Sequence, residues 1–253
     1  MLDKSKICVV IPCYNNEKTV AEVALSVVPF VENKPIVVLD GCTDNSAVSL
    51  QKISDKITML SYSPNKGKGA ALDFAFDYAR SMNYDYVVTL DADGQHFASD
   101  LPSFFKQIED DYGALILGSR LLKQDNMPAG NTFANKFSNF WFTMHTAKHL
   151  DDTQTGFRAY PLFKMGDIHP ISKRYEAELE LLLRCAWRNI KLVSQPIQVY
   201  YPPIDERVSH FRKGPDFMRI FLLNTIMCFV AILYGYPSML LRKIFNRINF
   251  KKI

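Results

Sequence analysis

The sequence predicts an α/β protein built on one open, mostly parallel sheet flanked by helices, with a hydrophobic and basic C-terminal tail. Three observations predict it. Short apolar runs bounded by turn residues recur through the first half of the chain, helical periodicity fills the intervals, and a polar turn-forming cluster follows most of the runs. Runs apolar on both faces are what strands look like in a sheet covered on both sides. Their alternation with helices marks an open α/β sheet.

The runs are residues 7–11, 36–39, 57–60, 86–90 and 114–117, several of them rich in Val and Ile. Between the third and fourth lies KGAALDFAFDYARSM (68–82), where Ala71, Phe74, Ala75, Tyr78, Ala79 and Met82 recur at spacings of three and four along one helix face. Further on, YEAELELLLRCAW (175–187) places Leu179, Leu182, Leu183 and Ala186 on another such face. The run 7–11 leads into PCYNNE, 36–39 into DGCTDNS, 86–90 into DADGQH and 114–117 into GSR. In open α/β sheets ligands bind at the carboxyl ends of the strands, so these four clusters are expected to converge on one rim.

At 253 residues, with 48% hydrophobic and 22% charged residues, the chain has ample material for a core and is not of disordered type. No linker or repeat argues for two catalytic domains, and the expected division is a catalytic unit over 1–205 and a tail over 206–253. The five cysteines, Cys8, Cys13, Cys42, Cys185 and Cys228, are odd in number and scattered, which fits a reduced, cytosolic-facing protein without a cysteine metal site. MLDKSK precedes only five apolar residues before Pro12, too short a run for a signal peptide.

The net charge of +4 is unevenly spread. From Arg212 onward eight basic residues face one acid, Asp216, a local +7, while the first 211 residues carry −3. An acidic body with a basic tail argues against a nucleic-acid surface and for a local anchor. Residues 220–241 carry no charge over 22 positions, enough to span a bilayer. Basic clusters on both flanks oppose the positive-inside tendency of a simple span and favour an interfacial or re-entrant hairpin broken near Gly235-Tyr236-Pro237. A single span and a buried core or dimer helix are the alternatives. Just before it, Arg207, His210 and Arg212 are placed either as a lid over donor phosphates or as a linker touching lipid headgroups.

Two carboxylates at i and i+2 leaving a strand, Asp91 and Asp93, can share Mg²⁺ or Mn²⁺, and Gln95 offers a further oxygen. The competing account is a solvated Asx-turn. NKGKG (65–69) opens the helix at 68, so its amides and Lys68 could lie near a phosphate; the alternative is an exposed turn with solvated lysines. Neither a Walker loop nor a G-x-G-x-x-G after the first run is present, which excludes those phosphate and nicotinamide signatures.

PCYNNE, LDGCTD, NKGKGAA, LDADGQH, GSR and the later DTQTGFRAY (152–160), in this order, resemble the family 2 glycosyltransferases of GT-A fold. The likeness runs over about residues 6–200 and is closest to the dolichyl- and polyprenyl-phosphate sugar transferase branch. Leu39-Asp40 departs from the acidic doublet that many relatives carry there. The resemblance implies that Pro12, Tyr14, Asn15 and Glu17 border the nucleotide, that Asp40 contacts base or ribose, and that Asp91 lies by ribose or metal. It implies Asp93 and Gln95 as metal ligands, Arg120 and Arg158 against phosphates or the acceptor head, and Asp152 on the acceptor side. Glu178 is the candidate base for a hydroxyl acceptor, or else part of a solvated helix face on which Glu180 pairs with Arg184. The expected function is a metal-dependent, inverting hexosyl transfer from a UDP- or GDP-linked sugar to a polyprenyl-phosphate or similar lipid-linked acceptor at the cytoplasmic face of a membrane. A sugar nucleotidyltransferase and a non-catalytic sugar-nucleotide-binding membrane adaptor are the rival readings.

Overall fold

The computed structural model describes residues 2–120, 129–201 and 214–250. The strands are β1 (Ile7–Cys13), β2 (Ile36–Asp40), β3 (Thr58–Tyr62), β4 (Tyr86–Thr89), β5 (Leu115–Arg120), β6 (Arg158–Pro161) and β7 (Leu192–Ile197). They form one sheet in the order β3-β2-β1-β4-β6-β5-β7. All described pairings are parallel except those of β6, which runs antiparallel between β4 and β5. The helices are α1 (Val20–Val27), α2 (Ser46–Gln51), α3 (Lys68–Ser81), α4 (Leu101–Asp110), α5 (Ala129–Thr146), α6 (Leu162–Met165), α7 (Glu176–Trp187), α8 (Pro215–Val230) and α9 (Tyr236–Phe250).

Strand alternation divides the core into two layers. Cys8, Val10, Ile36 and Val38 face α3, α7 and α8 through Ala71, Leu72, Leu183 and Leu223, whereas Val9, Ile11 and Val37 face α1 and α4 through Val20, Ala24, Phe104 and Ile108. Burial on both faces is why these strands read as continuous apolar runs. The five expected runs are β1 to β5 within a few residues, but Gly118, Ser119 and Arg120 belong to β5 itself rather than to the turn after it. β6 and β7 have no counterpart among the runs: β6 is RAYP, with a buried arginine, and β7 is LVSQPI, its adjacent Ser194 and Gln195 interrupting a half-buried edge strand.

The tail is not broken at Gly235-Tyr236-Pro237. Ala231–Gly235 form one π turn joining α8 to α9, so residues 218–245 make a single helix, long and apolar enough to cross a membrane by length and composition. A proline inside a helix removes a donor and crowds the carbonyl four residues back, and a wider turn at that point absorbs both. Gly235 is required there, because a Cβ would stand 2.5 Å from Trp187 Nε1. One face of the helix is fastened to the domain along its length: Leu223, Met227 and Ala231 enter the core, Asn224 O meets His145 Nε2 at 3.2 Å, and Met239 O accepts from Asn189 Nδ2 at 3.0 Å.

Candidate active site

Each of the first four polar clusters stands at or beside the carboxyl end of its strand, and side chains join them in pairs. PCYNNE is zipped to DGCTDNS. Asn15, in the left-handed region at φ 53°, exchanges two hydrogen bonds with Thr43, its Nδ2 donating to Thr43 Oγ1 at 3.1 Å and its Oδ1 accepting from Thr43 N at 2.8 Å. Glu17 N donates to Asp44 Oδ2 at 3.0 Å, and Glu17 Oε2 accepts from Asn45 N at 2.9 Å. Asn15 and Glu17 thus shape the loop pair. Pro12 lies inside β1, opposite Val38, and Tyr14 is half-buried at the start of the loop.

Asp40, the last residue of β2, is 2% exposed and holds NKGKG in place. Its Oδ1 accepts from Lys66 N at 2.7 Å, and its Oδ2 from Asn65 Nδ2 and Gly67 N at 2.8 Å each. This differs from the implied contact with base or ribose: the carboxylate is engaged by the loop. Gly41 makes the join possible, since a Cβ there would fall 2.2 Å from Asn65 N.

Lys68 begins α3 and is not a solvated lysine. Its side chain is 17% exposed, and Nζ lies 2.6 Å from Asp91 Oδ1 and 2.9 Å from Glu178 Oε2. Burial acts to raise the Asp91 pKa, but Lys68, with His96 and Arg158, outweighs it and the carboxyl is held below its ordinary value. Burial, with Asp91 adding to it, pushes Asp93 up to about 6. Asp93 Oδ1 also accepts from Gln95 N at 3.0 Å, so the Asx-turn is real, and it bends the chain so that Asp91, Asp93 and Gln95 leave β4 together. His96, its side chain 6% exposed, sits 3.8 Å from Asp91; burial lowers its pKa to about 4, and its Nδ1 is buried without a partner.

The acceptor-side residues are tied to one another. Asp152 has a fully buried carboxylate gripped from two sides by Arg120, Nε at 2.5 Å and Nη2 at 2.9 Å. Arg158 is 1% exposed and donates to the carbonyls of Thr155 at 2.7 Å, Glu178 at 2.7 Å and Thr153 at 2.9 Å. That differs from the implied contact with phosphates, because the guanidinium is spent on bracing the 153–155 loop against α7. Glu178 is 8% exposed, so it is no solvated face. Glu180 does pair with Arg184, at 2.7 Å, but from a fully buried position where it also caps Ile171 N and Ser172 N. Arg207, His210 and Arg212 lie outside the described residues.

Gly156 was not singled out in the sequence. A Cβ at Gly156 would fall 2.3 Å from Asp91 Oδ2, so only glycine lets the DTQTGFRAY loop close over that carboxylate. Thr89 fixes the approach, its hydroxyl donating to Gly156 O at 2.7 Å. The glycine within an otherwise polar motif was the available signal. Asp73, Asp77 and His169 also bring ligand atoms within 4.8 Å of one another, yet on α3 and its neighbouring loop, half-exposed and internally bonded.

A mostly parallel sheet with a reversed strand beside β4, and an acidic turn at the end of β4, is the architecture of the GT-A glycosyltransferases. The chain belongs to glycosyl transferase family 2, whose family model matches residues 8–164. It is 27% identical to the UDP-N-acetylglucosamine–dolichyl-phosphate N-acetylglucosaminyltransferase of Methanococcus voltae, over 79% of this chain and 88% of that one. To the polyprenol monophosphomannose synthase of Mycolicibacterium smegmatis it is 25% identical, over 75% of each chain. Among solved structures, glucosyl-3-phosphoglycerate synthase of Mycobacterium tuberculosis, crystallised with Mn²⁺, UDP and glucosyl-3-phosphoglycerate, shares the fold. The TM-score is 0.65 at 20% identity, covering 88% of this chain and 79% of that one. The protein is therefore a glycosyltransferase, neither a nucleotidyltransferase nor an adaptor.

Proposed function

We propose that this enzyme transfers a hexosyl group, with inversion, from a nucleoside-diphosphate sugar to a lipid-linked acceptor that ends in a phosphate. Relatives named for transfer to dolichyl phosphate and polyprenol monophosphate support the acceptor class. The observation that carries it is the state of the carboxylates. Asp152 is held by Arg120, Glu178 by Lys68, and Glu180 by Arg184 and two amides. Each of these three acids is thus already paired with a cation. An acceptor phosphate is already anionic at neutral pH and requires no base.

The donor lies, in this reading, against the rim formed by Pro12, Tyr14, the Asn15–Glu17 loop and the Asp40-held NKGKG loop. Asp91, Asp93 and Gln95 fit Mg²⁺ or Mn²⁺: they are hard oxygen donors, burial with the neighbouring Asp91 charge raises Asp93 to about 6, and the Lys68 ammonium already rests against Asp91 as a resident cation. When bound, the ion would stabilise the charge developing on the departing nucleoside diphosphate without proton transfer. Arg120 and Asp152 form the acceptor wall, while Arg158 acts by fixing that wall's shape.

The membrane contact is assigned to helix 218–245. Its outer face exposes Phe221, Phe229, Ile232, Leu233, Leu240 and Phe245, with Arg242 and Lys243 near its end. With its other face docked on the domain, the helix lies in the plane of the cytoplasmic leaflet instead of crossing it.

The test is transfer from labelled UDP- and GDP-hexoses, with Mn²⁺, to polyprenyl phosphate or to the matching polyprenol. A glycosyl phosphate lipid is the expected product; sugar appearing on the alcohol and not on the phosphate overturns the acceptor assignment.

A further inference from the structure

Lys68 bridges Asp91, at the end of β4, and Glu178, on α7, from a closely packed backbone. The backbone on either side of it is immobilised by close approach. A Cβ at Gly67 would fall 2.5 Å from Lys173 O, and one at Gly69 would fall 2.4 Å from Ala177 Cβ. Gly67 N is held by Asp40, and Ala70 N donates to Gly67 O and Lys173 O. The flexible four-carbon stem of Lys68 carries an ammonium that neutralises Asp91 at 2.6 Å and Glu178 at 2.9 Å.

We infer that Lys68 is a positioning residue that couples metal binding to donor binding, its ammonium neutralising Asp91 until a diphosphate draws it off that carboxylate. This rests on the cation site proposed at Asp91, Asp93 and Gln95. A divalent ion arriving alone meets a like charge on Asp91 and must displace it without compensation. A diphosphate arriving alone meets the carboxylates of Asp91, Asp93 and Glu178. Arriving together, the diphosphate gives the ammonium a new anionic partner while Lys68 keeps Glu178, Asp91 is released to the ion, and no charge in the buried site is left unpaired. By linkage the same factor that tightens the ion when nucleotide is present tightens the nucleotide when the ion is present.

The experiment measures Mn²⁺ affinity by calorimetry, and free Mn²⁺ by its electron paramagnetic resonance signal, with and without UDP or GDP. Wild type is compared with Lys68→Met, and with Lys68→Gln, whose amide can still bond Asp91 if the methionine variant does not fold. Lys68→Arg is the charge-keeping control. The expected result is that the neutral variants bind Mn²⁺ alone about tenfold more tightly than wild type, equivalent to about 1.4 kcal/mol, and depend less on nucleotide, while Lys68→Arg behaves as wild type. A merely structural lysine gives the opposite sign, because its loss loosens the acid pair and weakens the ion. Unchanged or weaker Mn²⁺ binding in the neutral variants, with wild type still binding Mn²⁺ and nucleotide together, overturns the coupling and leaves the cation site standing. No Mn²⁺ uptake by wild type with either nucleotide removes the cation site and the coupling with it.

Discussion

Residue identities around the rim decide its chemistry through which partners they already hold. Asp93 has a pKa of about 6 in the folded protein against an ordinary 3.8, so between those values the folded state keeps a proton that the unfolded chain releases. Its contribution to stability is greatest below the lower value and is lost as pH rises through the upper one. Asp93→Asn is therefore expected to stabilise the metal-free protein by about 2 kcal/mol near neutral pH and by almost nothing near pH 4, read by urea unfolding at both pH values. The same group predicts that Mn²⁺ uptake declines as pH falls through about 6, when the carboxylate takes up its proton. Asp40→Ala leaves Lys66 N, Gly67 N and the Asn65 amide without their acceptor and is expected to cost about 2–4 kcal/mol. Asp91, Asp93 and Gln95 were legible because one turn brings them together in sequence. The engagement of Asp152 by Arg120 was not, since 32 residues separate them and only the fold chooses that partner.

Secondary-structure elements were legible where both faces are buried, as in β1, β2, β4 and the apolar part of β5, because the pattern is then independent of what packs on either side. β6 escaped because Arg158 reads as a surface residue; its charge is satisfied by carbonyls that are distant in sequence. The tail shows the same limit: glycine and proline marked a break, but the π turn converts them into a continuous helix seated on Trp187. Gly235→Ala places a methyl against the indole and is expected to destabilise the protein by about 1–3 kcal/mol, with a red shift of tryptophan emission as that ring is uncovered.

At the scale of the whole molecule, helix 218–245 buries one side in the core and exposes the other, so the helix packs as part of the sheet domain, and the proposed membrane contact would be continuous with it. Phe229→Glu with Leu233→Glu, both on the exposed side at 65% and 80%, is expected to abolish flotation with anionic liposomes while leaving the melting temperature unchanged. Detergent-only extraction of the wild type, with carbonate and high salt failing, contradicts an in-plane helix. The reversed direction of β6 carries a further consequence. The chain leaves the rim after Arg120 and re-enters it at Arg158, with Leu117 and Arg158 paired in register, so the intervening excursion starts and finishes on neighbouring strands. Such a segment is a cassette: under the proposed acceptor and donor assignments, exchanging it for the equivalent stretch of another transferase is expected to change what receives the sugar while β1 to β4 and the loops that follow them stay as they are.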